Sequence, residues 1–359
     1  MKTYRVGIVG MGFGQKVHAP GIFHHDRFEL VAVAGARPGS AAGLAKATGA
    51  RAYDDWRALV DDAEVDVISI ATAPHLHARV ALAAIARGRS ILLEKPTALD
   101  AAEAGQIVEA ARAAGVFGAI VHEFRFRPER LAVREAVRAG TLGRVLAVHV
   151  TTHNASLAAL ARAPINWLFR AETGGGYLGA IASHTVDTLQ WWAGEEIVRV
   201  WADLRAAVPV RPSAEGGEER ASAEDSFVVV FHFASGAVGT IVFSTAGAGF
   251  GERWEVLGER GAVRVEGGRV LLAEAGQAQE ERELRLGQAL PEAPAVPGAA
   301  PDPRTPPFLR LLDRYARALD GDTAARSELA TLEQGLRVQR VLDGARLAAR
   351  TGASVRILP

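Results

Sequence analysis

The chain has 359 residues, 49% of them hydrophobic and 23% charged, and at roughly 150 residues per domain this predicts two domains, each with its own core. Its 41 basic and 41 acidic residues cancel, so net charge draws it neither to nucleic acid nor to a lipid surface. Cysteine is absent, which excludes disulfides, thiolate metal sites, iron–sulfur clusters and a cysteine nucleophile.

Met1 to Arg5 lead directly into a strand-like run with no signal-peptide stretch, and no apolar run reaches the roughly 18 residues of a membrane span. A cytoplasmic globular protein is expected. Short runs rich in Val and Ile follow at Tyr4 to Val9, Leu30 to Ala34, Val65 to Ile70, Ile91 to Leu93 and Val116 to Val121. They do not alternate strictly, as expected of strands buried on both faces of a parallel sheet. Between them lie Ala/Leu-rich helical stretches such as Ala78 to Arg87 and Ala101 to Ala114, the second opened by Asp100 with Glu103 at capping-box spacing. Strands and helices in alternation predict right-handed crossovers and a doubly wound sheet.

After about residue 122 the rhythm changes. Arg144 to Thr152, Val198 to Leu204, Ser226 to Phe233, Ala237 to Ser244 and Trp254 to Leu257 read as strands. Ala234-Ser235-Gly236 and Gly258 to Gly261 are hairpin signals, so this part is a mostly antiparallel α+β region. Residues 273 to 307, rich in Pro, Ala and Glu, predict a loop or mobile arm, and helical spacing returns at Phe308 to Leu319 and Glu328 to Ala349. The expected division is therefore 1–121, a dinucleotide-binding domain, and 122–359, an α+β substrate and oligomerisation domain. The carboxyl-terminal helices of the second are candidates to pack back on the first.

The first strand runs into Gly10-Met11-Gly12-Phe13-Gly14-Gln15. Gly10 and Gly12 fit the opening of a dinucleotide fingerprint, where a tight turn brings backbone N–H groups to a pyrophosphate at a helix amino terminus. The third glycine is due at 15, where Gln15 stands instead. At the end of the second strand Gly35-Ala36-Arg37 lacks the acid that binds the adenosine ribose of NAD. Arg37 is either a partner for a 2′-phosphate or a solvated surface arginine, and NADP(H) is favoured over NAD(H).

Ile91-Leu92-Leu93-Glu94-Lys95-Pro96 puts a lysine at a strand's carboxyl end, in the crevice where open α/β sheets bind ligands. With the glycine-rich start, with Thr72 to His77, His122 to Pro128, and Gly174-Gly175-Gly176 leading to His184 and Asp187, the chain resembles the Gfo/Idh/MocA oxidoreductases. Members include glucose–fructose oxidoreductase and inositol dehydrogenase, and the resemblance covers nearly the whole chain.

The resemblance implies a Rossmann domain beside a domain with a large antiparallel sheet, with the substrate held between them. It implies hydride transfer between a nicotinamide and a sugar, cyclitol or related polyol, in a homodimer or homotetramer. Lys95 is then the lead catalytic residue and His184 the second, an imidazole suited to proton transfer or else a packing histidine. Around the cofactor it places Gly10, Gly12, Phe13, Gly14, Gln15 and Arg37. From the neighbouring strand ends it adds Ala71, Thr72, His77, Glu94, Lys95 itself, Pro96 and Glu123. Arg125, Trp167, Arg170 and Asp187 are candidates for the substrate side, with Trp167 equally a core residue. The Lys95–Pro96 bond is expected to be cis. Where relatives carry Asp one turn before the histidine, this chain has Ala180. That leaves open a cofactor-binding sensor, and, from other relatives, a glycoside hydrolase-like enzyme with no net redox change. His75, His77, His149 and His153 lack a neighbouring set of carboxylates or thiolates, so no metal is expected.

Overall fold

Runs of Val, Ile and Ala buried at consecutive positions make strands that need cover on both faces. The computed structural model describes residues 2–153, 163–246, 251–276 and 280–358, and it divides into two compact units. One comprises Met1–Arg127 and Leu290–Leu336, the other Pro128–Ala289 and Arg337–Pro359.

The first unit is built on β1 (Tyr4–Val9), β2 (Phe28–Ala34), β3 (Arg51–Tyr53), β4 (Val67–Ile70), β5 (Ser90–Leu93) and β6 (Gly118–Ile120). They lie parallel in the order 3-2-1-4-5-6. The helices are α1 (Ala19–Phe23), α2 (Ala42–Thr48), α3 (Trp56–Asp61), α4 (His77–Ala86) and α5 (Ala101–Ala114). Asp100 caps α5 by accepting from the Glu103 N–H at 2.9 Å, while the Glu103 carboxylate reaches back to the N–H of Leu99.

One face of the sheet buries Val6, Ile8 and Leu30 with Val17, Ile22, Phe308 and Leu312. The other buries Val9, Ile68 and Ile70 with Val80, Ile85 and Ile107. Phe308 and Leu312 come from the far end of the chain, on α8 (Thr305–Leu319), and their apolar faces are why residues 290–336 return to this unit. The unit thus runs six residues beyond position 121 and then reclaims a late segment. Within the expected arm, residues 277–279 lie outside the described residues, but Val296 is buried in the first unit's core and the Ala295 carbonyl accepts from His24. The helix expected from Glu328 is interrupted. After α9 (Thr323–Glu328), Ala330–Thr331 pairs antiparallel with β6 as a two-residue edge strand, β17, that caps an otherwise open sheet edge.

The second unit holds α6 (Pro128–Arg138), β7 (Val145–His153), α7 (Ser183–Ala193), β8 (Ile197–Arg205), β9 (Val210–Pro212), β10 (Glu218–Arg220), β11 (Ser226–Phe233), β12 (Val238–Ser244), β13 (Gly251–Gly258), β14 (Gly261–Glu266), β15 (Arg269–Glu274) and β16 (Arg282–Glu283). The last helix, α10 (Leu332–Thr351), is followed by β18 (Val355–Arg356). Nine strands form one sheet, antiparallel except where β12 runs beside β7. β11 and β12 meet through the expected Ala234 to Gly236 turn, and β13 and β14 through Glu259 and Arg260. One face of this sheet buries Phe231, Phe243 and Trp254 against Val133, Val186, Trp192 and Leu342.

Candidate active site

The strand order reverses at β1 and β4, so their carboxyl ends part and leave the crevice of a doubly wound sheet. Gly10 closes β1 with φ 113°, its N–H donating to the Ala34 carbonyl at 2.8 Å. A Cβ on Gly10 would stand 2.3 Å from the carbonyl oxygen of Ala71, so glycine is required by backbone packing at the β1–β4 split. A Cβ on Gly12 would meet no described atom within 4 Å. Packing therefore makes no demand at Gly12.

The displaced third glycine has a structural account. Gly14 to His18 form a wide helical turn in which the Ala19 N–H reaches back five residues to Gly14, one more than an α-helical turn holds. The close approach to β1 consequently falls on Gly14, whose Cβ would come within 2.9 Å of Ile8, and Gln15 is exposed. Phe13 is half-buried, and the Arg304 guanidinium lies 4.7 Å from its ring centroid.

At the end of β4, Ala71 is buried and the Thr72 hydroxyl is enclosed with no hydrogen-bond partner among the described residues. His77 opens α4 fully buried, with its ring nitrogens 2.9 Å from the Pro96 carbonyl and 3.0 Å from that of Thr72. Burial holds its pKa below the usual imidazole range. At the end of β5 stand Glu94, Lys95 and Pro96, and the Lys95–Pro96 bond is cis.

Glu94 is 5% exposed. Burial alone would raise its pKa, but the His18 hydrogen bond and the charge of Lys95 outweigh that and hold it below the usual carboxylate range. Glu123, fully buried just beyond β6, goes the other way. Burial first, and then the negative charge of Glu94, push its carboxyl up to about 8. Two carboxyls driven apart in this way are a recurrent feature of sites that handle protons.

The Glu123 shift has a sign that can be tested. A folded-state value above the unfolded one means that its contribution to stability is complete below about pH 4.3 and lost as pH rises through the folded value. Thermal unfolding followed from about pH 6 to pH 9 should therefore show a decline that Glu123→Gln lacks.

Arg37 is exposed beyond the end of β2, and its main-chain carbonyl accepts from the Ser40 hydroxyl at 2.5 Å. Asp54, just beyond β3, accepts the Gly39 N–H at 2.7 Å. Arg125 is buried, and its guanidinium donates to the Glu328 carbonyl and the Gln334 amide oxygen, tying the returning segment to β6.

In the second unit, His184 and Asp187 are both buried one helical turn apart on α7. Ala180 lies within a second wide turn, Leu178 to Ala182, so it is not on the regular helix that carries His184. Trp167 is 44% exposed and is no core residue. Arg170 pairs with Glu219 of β10 at 2.7 Å. His149 bonds Thr240 across the β7–β12 pair.

Sequence reasoning missed His18, Ser69 and Arg304. The signal for the first two was a single histidine between apolar Val17 and Ala19, and a single polar residue within Val67 to Ile70. Arg304 joins the glycine turn across nearly the length of the chain, which no local pattern reveals.

A parallel sheet of this order with a glycine turn at its switch point defines a dinucleotide-binding domain. The residues fit such a ligand. Gly12 leaves room for a close approach, Gly10 tolerates no side chain, and the Thr72 hydroxyl awaits a partner at the same strand ends. Residues 4–122 match the oxidoreductase family model with an NAD-binding Rossmann fold, and residues 131–264 match the GFO/IDH/MocA C-terminal domain. An uncharacterised oxidoreductase of Synechocystis sp. is 30% identical over 94% of this chain and 92% of its own. Inositol 2-dehydrogenase 2 of Saccharopolyspora erythraea is 31% identical over 73% of each. The solved levoglucosan dehydrogenase in complex with NADH and levoglucosan superposes with a TM-score of 0.84, covering all of both chains at 25% identity. The chain belongs to the GFO/IDH/MocA family of oxidoreductases.

Proposed function

We propose that the protein is an NAD(P)-dependent dehydrogenase acting on a secondary alcohol or carbonyl of a sugar, cyclitol or related polyol. The observation that carries this reading is Lys95, just beyond β5, whose charge acts on both the Glu94 carboxylate and the neutral Glu123 carboxyl. The substrate class follows the names of the relatives, levoglucosan and inositol dehydrogenases.

When bound, the nicotinamide accepts or donates the hydride. The turn at Gly10 and Gly12 would hold the pyrophosphate through backbone N–H groups. In the oxidising direction Lys95 Nζ, deprotonated, takes the proton of the reacting hydroxyl. In the reducing direction the ammonium returns it to the carbonyl oxygen. Glu94 balances that ammonium, and Glu123, protonated at neutral pH, adds no second negative charge beside it. His184 is assigned the assisting proton-transfer role. Absorbance at the reduced nicotinamide band, across a panel of sugars and cyclitols with both cofactors, tests the reading. Tight cofactor binding without turnover on any of them would overturn it.

Arg37 is proposed to favour NADP(H), as the guanidinium nearest the end of a strand that offers no acid to a ribose hydroxyl. Arg37→Ala should weaken NADPH binding by about tenfold or more and leave NADH nearly unchanged, since only the former carries the 2′-phosphate. Fluorescence titration with each cofactor checks this, and equal losses would place Arg37 elsewhere.

A further inference from the structure

We propose that His18, anchored by Ser69, is a positioning residue for the Glu94–Lys95 pair, fixing the reacting lysine to the glycine-rich turn. The inference rests on Lys95 being the proton-handling group.

His18 ends the wide turn that follows Gly14 and is fully buried. Its Nδ1 lies 2.7 Å from Ser69 Oγ on β4, and its Nε2 lies 3.0 Å from Glu94 Oε1. The other Glu94 oxygen, Oε2, accepts the backbone N–H of Lys95 at 3.2 Å. An ionised carboxylate only accepts, so Nε2 carries a proton. With a neutral ring, Nδ1 then accepts from the Ser69 hydroxyl. In that tautomer the bonds run from Ser69 through His18 to Glu94, and Glu94 in turn holds the main chain of Lys95.

The ring has no freedom left. Phe308 of α8 stacks on it with centroids 4.6 Å apart and planes at 16°, and Phe13 meets it edge-on at 5.6 Å. One imidazole therefore touches the glycine turn through Phe13, the central strand through Ser69, and the lysine's own turn through Glu94. Both buried ring nitrogens are satisfied, Nδ1 by a hydroxyl on β4 and Nε2 by the carboxylate that also holds the lysine's main chain. Ser69 is the lone polar side chain among Val67, Ile68 and Ile70, and burying a hydroxyl there is unfavourable unless it is bonded.

The charged and titratable groups facing Glu94 are His18, Lys95, His77 of α4, Glu123 beyond β6 and Arg304 before α8. Among these, the His18 side chain hydrogen-bonds the Glu94 carboxylate directly. It thus helps decide which of two neighbouring carboxyls stays ionised, and an ionised Glu94 is the one bonded to the lysine's backbone.

Titration of Glu94 by carbon-13 NMR, with glutamate Cδ labelled and the signal assigned with Glu94→Gln, reads this directly. Removing the donor in His18→Leu should raise the Glu94 midpoint by about one to two pH units. The acid limb of the turnover profile should move with it while NADH affinity, followed by fluorescence, is retained. Ser69→Ala should move both in the same direction by less. His18→Gln keeps a donor and should restore part of the native profile. Should His18→Leu fail to fold, Ser69→Ala and His18→Gln carry the test alone.

A Glu94 midpoint indifferent to these changes overturns the inference, and so does a midpoint that moves without the acid limb. Lys95→Met measured alongside keeps the two readings apart. Turnover that survives it removes the lysine mechanism, whereas an unmoved Glu94 midpoint removes the role of His18 even when Lys95→Met is inactive.

Discussion

Replacing Lys95 by methionine should lower turnover by about 10²- to 10⁴-fold while dinucleotide affinity survives. The first half follows from losing the group that exchanges a proton with the reacting oxygen, equivalent to about 3 to 5.5 kcal/mol of barrier. The second follows from the fold. The pyrophosphate is assigned to the turn at the end of β1, whereas Lys95 stands at the end of β5, with β4 between them. Methionine matches the lysine stem in length and keeps its packing, so the loss reports the ammonium and not a cavity. His184→Ala should lose less, because its proposed role only assists the transfer made by Lys95 and water can substitute. Single-turnover hydride transfer in the variants decides the division of labour. Near-native rates in Lys95→Met would end the lysine mechanism and assign the proton to another group.

The parts of the fold that could be read from the sequence are those whose cause is local. β1 and α5 fall on their expected residues, because a buried apolar run and an Asp-capped amphipathic segment each carry their own boundary signals. β3 has three residues, two of them exposed, and is made only by its pairing with β2. β17 exists because the edge of β6 needs cover, and nothing in Ala330-Thr331 itself announces a strand. The return of residues 290–336 to the first unit is equally non-local, since it depends on where Phe308 and Leu312 find an apolar face.

The site divides in the same way. Gly10, Gly12 and Lys95 sit in motifs whose chemistry is carried by adjacent residues. The environment of Lys95 comes from partners far away in sequence. His18 reaches Glu94 across 76 positions, and Arg304 reaches Phe13 from the opposite end of the chain. The one-residue offset of the third glycine resolves only when the wide turn is seen, because a pattern search assumes regular helix after the second.

The two glycines of the turn should respond to alanine in opposite ways, and the contrast separates protein packing from ligand approach. Gly10→Ala drives a Cβ to within 2.3 Å of the Ala71 carbonyl oxygen and 2.7 Å of the Thr72 nitrogen, at a φ that side chains rarely adopt. Those atoms are backbone at the end of a central buried strand and cannot swing aside. Backbone strain and overpacking together should destabilise the free protein by on the order of 3 to 5 kcal/mol. Gly12→Ala puts its Cβ where no described atom lies within 4 Å, at a residue without positive φ. The free protein should therefore melt as the native one does. Its affinity for NADH or NADPH should nonetheless fall by roughly tenfold or more, because the methyl group stands where the backbone must approach the pyrophosphate. The cofactor raises the melting temperature in proportion to the logarithm of its concentration over its dissociation constant. Thermal unfolding with and without cofactor thus reads both effects in one experiment. Gly10→Ala should melt early in either condition, and Gly12→Ala should melt normally alone and gain little when cofactor is added. A full cofactor-induced shift in Gly12→Ala would mean that the pyrophosphate is held elsewhere, and the assignment of the glycine turn would fall with it.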